Sequence, residues 1–495
     1  MTPMTPSALS RFLAASLLLT TAVITGCGTG LTTAATSTTT LTSAPKVTGR
    51  AMGGQQPLAF STIQLYAVNT TTLRGASAPQ LTQTVTTDAQ GYFTLTGLYH
   101  CPTGALVYLT ATQGTVGTAT NNSAIALMSG LGACSALNAG TIITMNELTT
   151  VASAYALAPF AADYSHIGAP ASGLTGITNA FATINTLVNT STGQSPGLGL
   201  PAGTSVPFTE LNTLADIVAD CVNTDAAALP TSGSPTPTDT ISALLNIASN
   251  PSANVATLFS LQVAQAPFVP KLSSTPQDWS VALKLTGSAL SAPYGVAIDA
   301  SGNAWITNET GNSLTEFDPT GKPISGVSGI GSPNFRGAQG ITIDPGGNII
   351  VANTGGNSVI KLKSDGTFFS PTAGYTLASF NAPVDVAADA RKNIWVANFL
   401  GNSVTEIDLN GVIIGSPLTA GATLSRPSAI AIDPNGGVWI SNSGVGTLTK
   451  YDKNATLIST GNGFTDNALQ APAGLAADSL GELWVAGQGG NEISA

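Results

Sequence analysis

One motif, written five times from residue 293 onward, constrains the fold more than any other feature of the chain. Each copy is a short apolar run ending in aspartate, a five-residue gap, a second apolar run and a small polar residue or glycine. The motif aspartates are Asp299, Asp344, Asp389, Asp433 and Asp478. Their separations are 45, 45, 44 and 45 residues, and the sixth residue after each is Trp or Ile. Short β runs at a fixed period of this size predict one antiparallel sheet per repeat, stacked as the blades of a β-propeller.

Each repeat predicts three strands joined by tight turns. In the first copy they are Gly295–Asp299, Ala304–Asn308 and Ser313–Asp318. Asx side chains and glycine suit such reversals, so the motif aspartates are interpreted as turn caps rather than as a metal ring. The same structural role is assigned to the asparagines that end the second strands, which are Asn308, Asn353, Asn398 and Asn442. Alternating charges on the third strands predict a solvated outer edge; they are Glu316, Lys361, Glu406 and Lys450.

The number of blades depends on how the two ends of the repeat region are completed. The chain contains five copies, and Ala495 follows the third strand of the fifth. The segment Trp279–Leu285 alternates like a strand and is predicted to supply the missing outer strand of the fifth blade. Five blades is the literal count, and six follows if the residues before Pro293 build more than one strand.

The repeat, P-x-G-[VIL]-A-[IVA]-D-x5-[WI]-[VI]-[AST]-N, resembles the NHL repeat and the related repeat of virginiamycin B lyases. The resemblance implies a propeller, and lyases of this type use histidine and acidic residues with a divalent metal. Residues 267–495 contain no histidine and no cysteine. We therefore expect no catalytic residues, no metal and no cofactor, and a non-enzymatic binding or scaffold module for a protein or glycan. The alternative is a lyase or hydrolase of the same propeller type.

A ligand would be expected in the central funnel, where the inner strands converge. The residue after the first position of each repeat should lie near this rim and differs from blade to blade. These candidate ligand-binding residues are Tyr294, Gln339, Val384, Ser428 and Ala473.

The composition is that of an exported, β-rich protein. Charged residues make up 8% of the chain and the formal net charge is −10. Nucleic acid is excluded as a partner, because binding it requires lysine and arginine to neutralise phosphates.

The N-terminus reads as an export signal. An apolar run, Phe12–Ile24, is too short to span a bilayer and fits a signal-peptide core. It ends in Ile-Thr-Gly-Cys, which resembles a bacterial lipobox, so residues 1–27 are predicted to be a lipoprotein signal with Cys27 as the lipid-attachment site. Residues 28–45 would be a flexible tether, and the membrane a partner through lipidated Cys27. The expected location is the cell envelope, at the outer membrane or cell surface; the alternative is an ordinary secretory signal.

Residues 46–143 predict a β-sandwich. Strands are expected at Thr62–Val68, Tyr92–Thr96 and Leu106–Ala111. Their order and the intervening T-x-D-A-x-G turn resemble the transthyretin-like, or carboxypeptidase regulatory-like, domain, which implies a spacer or adhesion module. Cys101 and Cys134 flank the third of these strands, and we predict that they form a disulfide; two separate buried thiols are the alternative.

Residues 144–266 predict a small helical bundle, because apolar residues recur there at helical spacing on five segments. Cys221 lies on one apolar stripe and is interpreted as a core thiol, while Asp163 and His166 are interpreted as a surface loop rather than a catalytic dyad. A linker, 267–278, would lead to a propeller at 279–495. The overall prediction is a mainly β protein, and its arrangement resembles uncharacterised acidobacterial NHL-repeat lipoproteins.

Overall fold

The computed structural model describes residues 45–117, 121–223, 233–262, 267–287, 290–326, 328–419, 424–465, 469–478 and 480–494. The predicted signal peptide, the lipid-attachment site Cys27 and almost all of the tether lie outside the described residues. No helix in the described ranges combines the length and apolar character needed to cross a membrane.

The N-terminal part contains two antiparallel-rich sheets, as the alternating patterns predicted. The first orders its strands β10-β1-β2-β8 with β6 against β1, and the second β4-β3-β7-β9 with β5 against β3. The pairing of β1 with β10 is parallel. The strands are β1 (Val47–Gly53), β2 (Gln56–Ala59), β3 (Thr62–Ala67), β4 (Ala78–Pro79), β5 (Val85–Thr86), β6 (Tyr92–Leu95), β7 (Leu106–Thr112), β8 (Thr115–Val116), β9 (Ala126–Ala133) and β10 (Ile142–Met145).

The predicted disulfide between Cys101 and Cys134 is present, with the two Cα atoms 5.6 Å apart. It joins the entry to β7 with the end of its neighbour β9, so it closes the loop at the edge of the second sheet. Cys134 is buried, whereas Cys101 packs against the core with part of its surface exposed. Closing a loop of this length contributes about 3–4 kcal/mol in the chain-entropy account.

Five helices follow, and each apolar stripe expected from the sequence lies on one of them. They are α1 (Glu147–Leu157), α2 (Leu174–Leu187), α3 (Phe208–Asn223), α4 (Thr240–Ser249) and α5 (Val255–Ser260). Two short strands, β11 (Ala161–Asp163) and β12 (His166–Ile167), form a hairpin between α1 and α2, and β13 (Thr204–Ser205) precedes α3. Helix α1 begins with a capping box between Asn146 and Thr149, which satisfies backbone N–H groups at its first turn.

The helices do not form the separate bundle that the sequence predicted, because they share one hydrophobic core with the sheets. Helix α1 lies along β9, the edge strand of the second sheet. The hydroxyl of Thr150 accepts the N–H of Met128 at 2.9 Å, and that of Ser153 accepts the N–H of Gly130 at 3.0 Å. Since an open sheet edge exposes unpaired donors, these hydroxyls seal the edge and fix the helix to it.

The segment expected to close the propeller belongs to this N-terminal core instead. Trp279 is fully buried in it, and Phe268 of the predicted linker is buried there too. Strand β14 (Lys284–Leu285) pairs antiparallel with β13 and not with the fifth blade, so the predicted latch is wrong. Trp279 packs in the shared core, where its large aromatic ring is fully removed from solvent.

Among the described residues, the C-terminal part repeats one small antiparallel sheet five times, which confirms the mainly β propeller architecture expected from the motif. Neighbouring blades contact each other through their inner strands. In sheet order the blades are β15 (Pro293–Ile298), β16 (Ala304–Asn308), β17 (Ser313–Phe317), β18 (Ile330–Gly331); β19 (Ala338–Ile343), β20 (Ile349–Asn353), β21 (Ser358–Leu362), β22 (Tyr375–Thr376); β23 (Pro383–Ala388), β24 (Ile394–Asn398), β25 (Ser403–Ile407); β26 (Pro427–Ile432), β27 (Val438–Asn442), β28 (Thr447–Tyr451), β29 (Phe464–Thr465); and β30 (Pro472–Ala477), β31 (Leu483–Gly487), β32 (Glu492–Ser494).

Two buried carboxyl groups in the N-terminal core make its stability depend on pH. One oxygen of Glu147 accepts the Gly54 N–H at 2.7 Å, and one of Asp216 accepts the Phe268 N–H at 3.0 Å. The second oxygen of each has no hydrogen-bond partner within the described ranges. Burial raises the pKa of Glu147 to about 7, and the nearby Asp216 charge acts in the same direction. Burial raises the pKa of Asp216 to about 6, with the Lys271 charge opposing it.

We expect the free energy of unfolding to fall as pH rises from about 4.5 to 7, because the folded state retains protons that the unfolded chain has released. Glu147→Gln should remove about 2–3 kcal/mol of that fall and make the variant more stable than the parent above pH 7. Urea titrations from pH 4.5 to 8 measure this, with Glu210→Gln on α3 as the control. Parallel pH profiles for the parent and Glu147→Gln would contradict the assignment.

Candidate functional site

The motif aspartates cap the turn between the first and second strands of each blade, as predicted. Oδ1 of Asp299 accepts the N–H of Ser301 at 2.8 Å and that of Asn303 at 2.9 Å. Asp344, Asp389, Asp433 and Asp478 make the same pair of bonds to the second and fourth residues that follow them. One carboxylate oxygen in each repeat therefore accepts hydrogen bonds from backbone N–H groups.

The other carboxylate oxygen reaches into the joint between blades. Oδ2 of Asp299 accepts the indole N–H of Trp305 at 3.1 Å, and Oδ2 of Asp433 accepts that of Trp439 at 3.0 Å. Asp299 and Asp433 thus orient the tryptophan six positions later while capping their own turns. No set of three or more His, Cys, Asp or Glu residues in the described ranges is arranged to hold a metal ion.

The charges on the third strands are largely interior, so the predicted solvated edge is wrong. The side chain of Lys361 is 1% exposed, and its Nζ lies 3.0 Å from Oδ2 of Asp344, which is fully buried. Glu406 is 5% exposed. The strand register explains this, because the third-strand residue pairs with the large residue of the second strand, as in Ile350 with Lys361. Both therefore lie on the face that meets the adjacent blade.

Lysine and glutamate are accommodated differently at this shared position. Lys450 pairs with Asp433 at 3.0 Å, as Lys361 pairs with Asp344. Glu316 and Glu406 instead accept hydrogen bonds from Asn303 and Asn393, at 3.0 and 2.9 Å. Burial acts to raise the pKa of Asp344, but hydrogen bonds from Asn348 and Lys361 hold it below its usual value.

The asparagines that end the second strands make bonds within their own blades. The amide of Asn308 donates to the hydroxyls of Ser313 at 3.2 Å and Thr315 at 2.9 Å, and Asn398 and Asn442 repeat this pattern. Asn353 donates to Ser358 at 2.8 Å. Each of these bonds agrees with the structural role that the sequence predicted for these asparagines.

The five candidate rim residues lie at matching positions on the inner strands, but their surroundings differ. Gln339 donates to Glu309 at 2.8 Å, which links the first two blades. Its Oε1 lies 3.0 Å from the hydroxyl of Thr354, which also lies 2.7 Å from the carbonyl of Pro383. Ser428 donates to the carbonyl of Pro472 at 2.6 Å and so ties the fourth blade to the fifth. Val384 is half-buried, while Ala473 is exposed and lines a separate open depression of about 290 Å³ beside β31 and β32.

Tyr294 is the exposed aromatic of this set, with 59% of its surface accessible. Partial burial raises the pKa of its phenol, and the carboxylates of Asp385 and Glu309 raise it further. Tyr294 therefore lies within electrostatic range of two acidic groups, one of which is fixed by Gln339. These residues form the polar cluster that we call the Tyr294 cluster: Tyr294, Glu309, Gln339, Thr354 and Asp385.

Asp385 was missed in the sequence, although it departs from the repeat. The matching positions in the other copies are Gly295, Gly340, Ala429 and Gly474. Its two carboxylate oxygens accept the N–H groups of Val386 at 3.0 Å and Ile430 at 2.9 Å, so it joins the third blade to the fourth. A Cβ atom on Gly340 would collide with this carboxylate, and burial raises the pKa of Asp385 to about 7.

Asp163, Ser165 and His166 do not form a catalytic triad. Nδ1 of His166 lies 2.9 Å from Oδ2 of Asp163 and 3.1 Å from the hydroxyl of Ser165. In a triad the serine and the aspartate bind opposite nitrogens of the imidazole. Here both bind the same nitrogen within one hairpin. This agrees with the interpretation of Asp163 and His166 as a loop rather than a catalytic dyad. Cys221 is a buried thiol that forms no disulfide, and burial raises its pKa to about 11.

No protein-family model and no curated protein matches the chain. Similar solved structures include a streptogramin B lyase, at 20% identity and a TM-score of 0.36, and virginiamycin B lyase from Staphylococcus aureus, at 20% and 0.35. Each of these matches covers 41% of this chain and 65% of the lyase chain, so the match spans less than two thirds of the lyases. A gluconolactonase from Xanthomonas campestris matches at 17% identity and a TM-score of 0.30, over 41% of this chain and 75% of that one. The fold rests on the chain's own repeated sheets, and no activity follows from these neighbours.

We expect the ion pair between Asp344 and Lys361 to be needed for the second blade. Lys361→Met should leave an unpaired buried carboxylate and lower the free energy of unfolding by about 3–5 kcal/mol. The exposed neighbour Lys363 provides the control. Lys363→Met should change the free energy of unfolding by less than about 0.5 kcal/mol. Urea unfolding followed by tryptophan fluorescence compares them. Adding Asp344→Asn to Lys361→Met should restore part of the loss; equal stability of the two lysine variants would refute the interpretation.

Proposed function

We propose that this chain is a lipid-anchored cell-envelope protein whose propeller binds an envelope glycan or protein without catalysing a reaction. The observation that carries the proposal is the Tyr294 cluster, where an exposed aromatic side chain lies within electrostatic range of a carboxylate, Glu309, that already accepts a hydrogen bond from the Gln339 amide. Binding sites combine an apolar surface with a few positioned polar groups, and this cluster has that composition.

The geometry favours a glycan over a protein as the ligand. An aromatic face suits the apolar side of a sugar ring, while carboxylate and amide groups suit its hydroxyls. The hydrogen bond from Gln339 to Glu309, at 2.8 Å, restricts both of these side chains before any ligand arrives. Side chains restricted in this way lose less entropy on binding.

A binding role also agrees with the chemistry of the acidic groups. Both oxygens of Asp385 accept backbone N–H groups, so this carboxylate is engaged in joining blades. Residues 267–495 contain no histidine to serve as a general acid or base. The alternative, a lyase or hydrolase, would have to use Tyr294 and Asp385, whose pKa values are both raised. Stoichiometric divalent metal in the purified protein, measured by mass spectrometry, would favour that alternative.

The anchor is inferred from the sequence alone. The apolar run Phe12–Ile24 followed by Cys27 supports signal cleavage and lipidation, and several acyl chains on one residue suffice for stable membrane attachment. The envelope location, at the outer membrane or cell surface, follows from the same inference. The disulfide between Cys101 and Cys134 agrees with an oxidising compartment.

Cys27→Ala should abolish lipid attachment and release the protein from membranes. Fractionation after metabolic labelling with a fatty acid measures both effects, and Thr29→Ala serves as the matched control that keeps label and membrane association. If the alanine variant at position 27 sediments with membranes and carries the label as the parent does, the anchor is refuted.

Tyr294→Ala and Glu309→Gln should each weaken glycan binding by about tenfold or more, because each removes a central contact. A glycan array followed by titration with the full chain identifies the ligand and measures the change. Tyr92→Ala is the matched control, since Tyr92 is 54% exposed but lies on β6 of the N-terminal part. Equal loss in all three variants, or none in any, would contradict the placement of the site. Binding to envelope proteins alone would make the ligand a protein.

A further inference from the structure

A cavity of about 520 Å³ lies in the N-terminal part, where the turn between β1 and β2 meets the start of α1, the first half of α3 and two loops. Its volume falls within the range of small-molecule sites, whereas voids left by packing rarely exceed the size of a water molecule. The residues that line it all fall between Met52 and Val269. The cavity is therefore formed without the propeller and is separate from the Tyr294 cluster.

The lining of this cavity is polar but uncharged. Thr192 provides a hydroxyl, and none of the charged side chains in the described ranges lines the cavity. Leu148 and Phe268, which are both buried, contribute apolar surface. The side-chain amides that line it are those of Gln55, Asn146, Gln194 and Asn212. A ligand that matches this lining is neutral, carries several groups that donate and accept hydrogen bonds, and has an apolar side.

The two loops that line the cavity are tied to the helices before any ligand binds. The amide of Asn146, which caps α1, donates to the carbonyl of Gly193 at 2.9 Å, and this bond fixes the loop that carries Gln194. The amide of Asn212 on α3 donates to the carbonyl of Pro270 at 2.8 Å, which fixes the second loop. Walls that are already in place reduce the entropy lost when a ligand binds.

Asn212 carries a hydrogen-bond acceptor that no group of the described ranges satisfies. The residue is 7% exposed, and its Oδ1 has no hydrogen-bond partner in those ranges, in contrast to its Nδ2. A buried carbonyl oxygen without a partner is unfavourable, so such groups are rare in folded proteins. Because Asn212 lines the cavity, a hydroxyl or N–H group of a bound ligand can donate to this oxygen.

Two buried carboxyl groups hold the backbone of the lining and do not take part in it. Oε1 of Glu147 accepts the N–H of Gly54 at 2.7 Å, next to Gln55. Oδ1 of Asp216 accepts the N–H of Phe268 at 3.0 Å. Both carboxyl residues are fully buried, and neither lines the cavity. A general acid or base must reach the reacting group, so this geometry supports binding without hydrolysis.

We propose that this cavity binds a neutral saccharide. The amides and hydroxyls match the hydroxyl groups of a sugar ring, and Leu148 and Phe268 match its apolar face. A peptide fits less well, because extended peptides are recognised at an unpaired strand edge. The edge strand here is β10, and the N–H of Thr144 on it already donates to the carbonyl of Thr190 at 2.8 Å. This second ligand site does not rest on the proposed function of the propeller.

Isothermal titration calorimetry of the full chain with cellobiose, maltose and N,N′-diacetylchitobiose tests this site. Every chain in the series carries Tyr294→Ala, so that the proposed site on the propeller does not contribute. We expect at least one of these disaccharides to bind. Gln194→Ala should weaken its binding about tenfold or more, because this change removes an amide from the cavity wall. Gln83→Ala is the matched control, since Gln83 is an exposed amide outside the cavity.

Asn212→Leu is the second variant, because it replaces the amide with an apolar group of similar size. It should weaken binding by a similar factor, and circular dichroism checks that it is folded. Failure of all of the disaccharides to bind, or equal affinity in Gln194→Ala and Gln83→Ala, would overturn the proposal. Binding that is seen only with Tyr294 intact would place the saccharide on the propeller and would also overturn it. Loss of binding in Gln194→Ala would support the cavity even if the Tyr294 cluster binds no glycan.

Discussion

The packing of one large residue on the inner strand of the next blade is the interaction on which the C-terminal architecture depends. Trp305, Ile350 and Trp395 are fully buried in this way. A small antiparallel sheet buries little apolar surface by itself, so each blade is stable only against a neighbour. Val296 and Trp484 are more exposed than their counterparts, because no blade among the described residues covers these two positions.

Lysine enters this apolar joint because the motif aspartate forms an ion pair with it. Its first oxygen caps a turn, and its second accepts a bond from tryptophan, lysine or arginine, as in Asp299, Asp344 and Asp389. A buried charge is tolerated when it is paired and hydrogen-bonded. The aspartate therefore links the local turn to the contact between blades.

The periodicity of the sequence predicted the local secondary structure. The repeat specified the strands and turns, the apolar stripes specified the five helices, and the pairing of Cys101 with Cys134 followed from their positions around one strand. The interior placement of Lys361 was not predictable in this way, since a charge on a strand reads as solvated unless the neighbouring blade is known. Trp279 was misplaced for a similar reason: alternation identifies an extended segment but not the surface that it packs against. The shared N-terminal core also depends on contacts between α1 and β9 that no local pattern records.

Amide hydrogen exchange of the chain tests the dependence of each blade on its neighbour most directly. The five second strands have the same position in the repeat and differ in how well their large residue is covered. The account predicts the strongest protection in Ile394–Asn398, which carries Trp395, and the weakest in Leu483–Gly487, which carries Trp484. Equal protection of these two strands would contradict it.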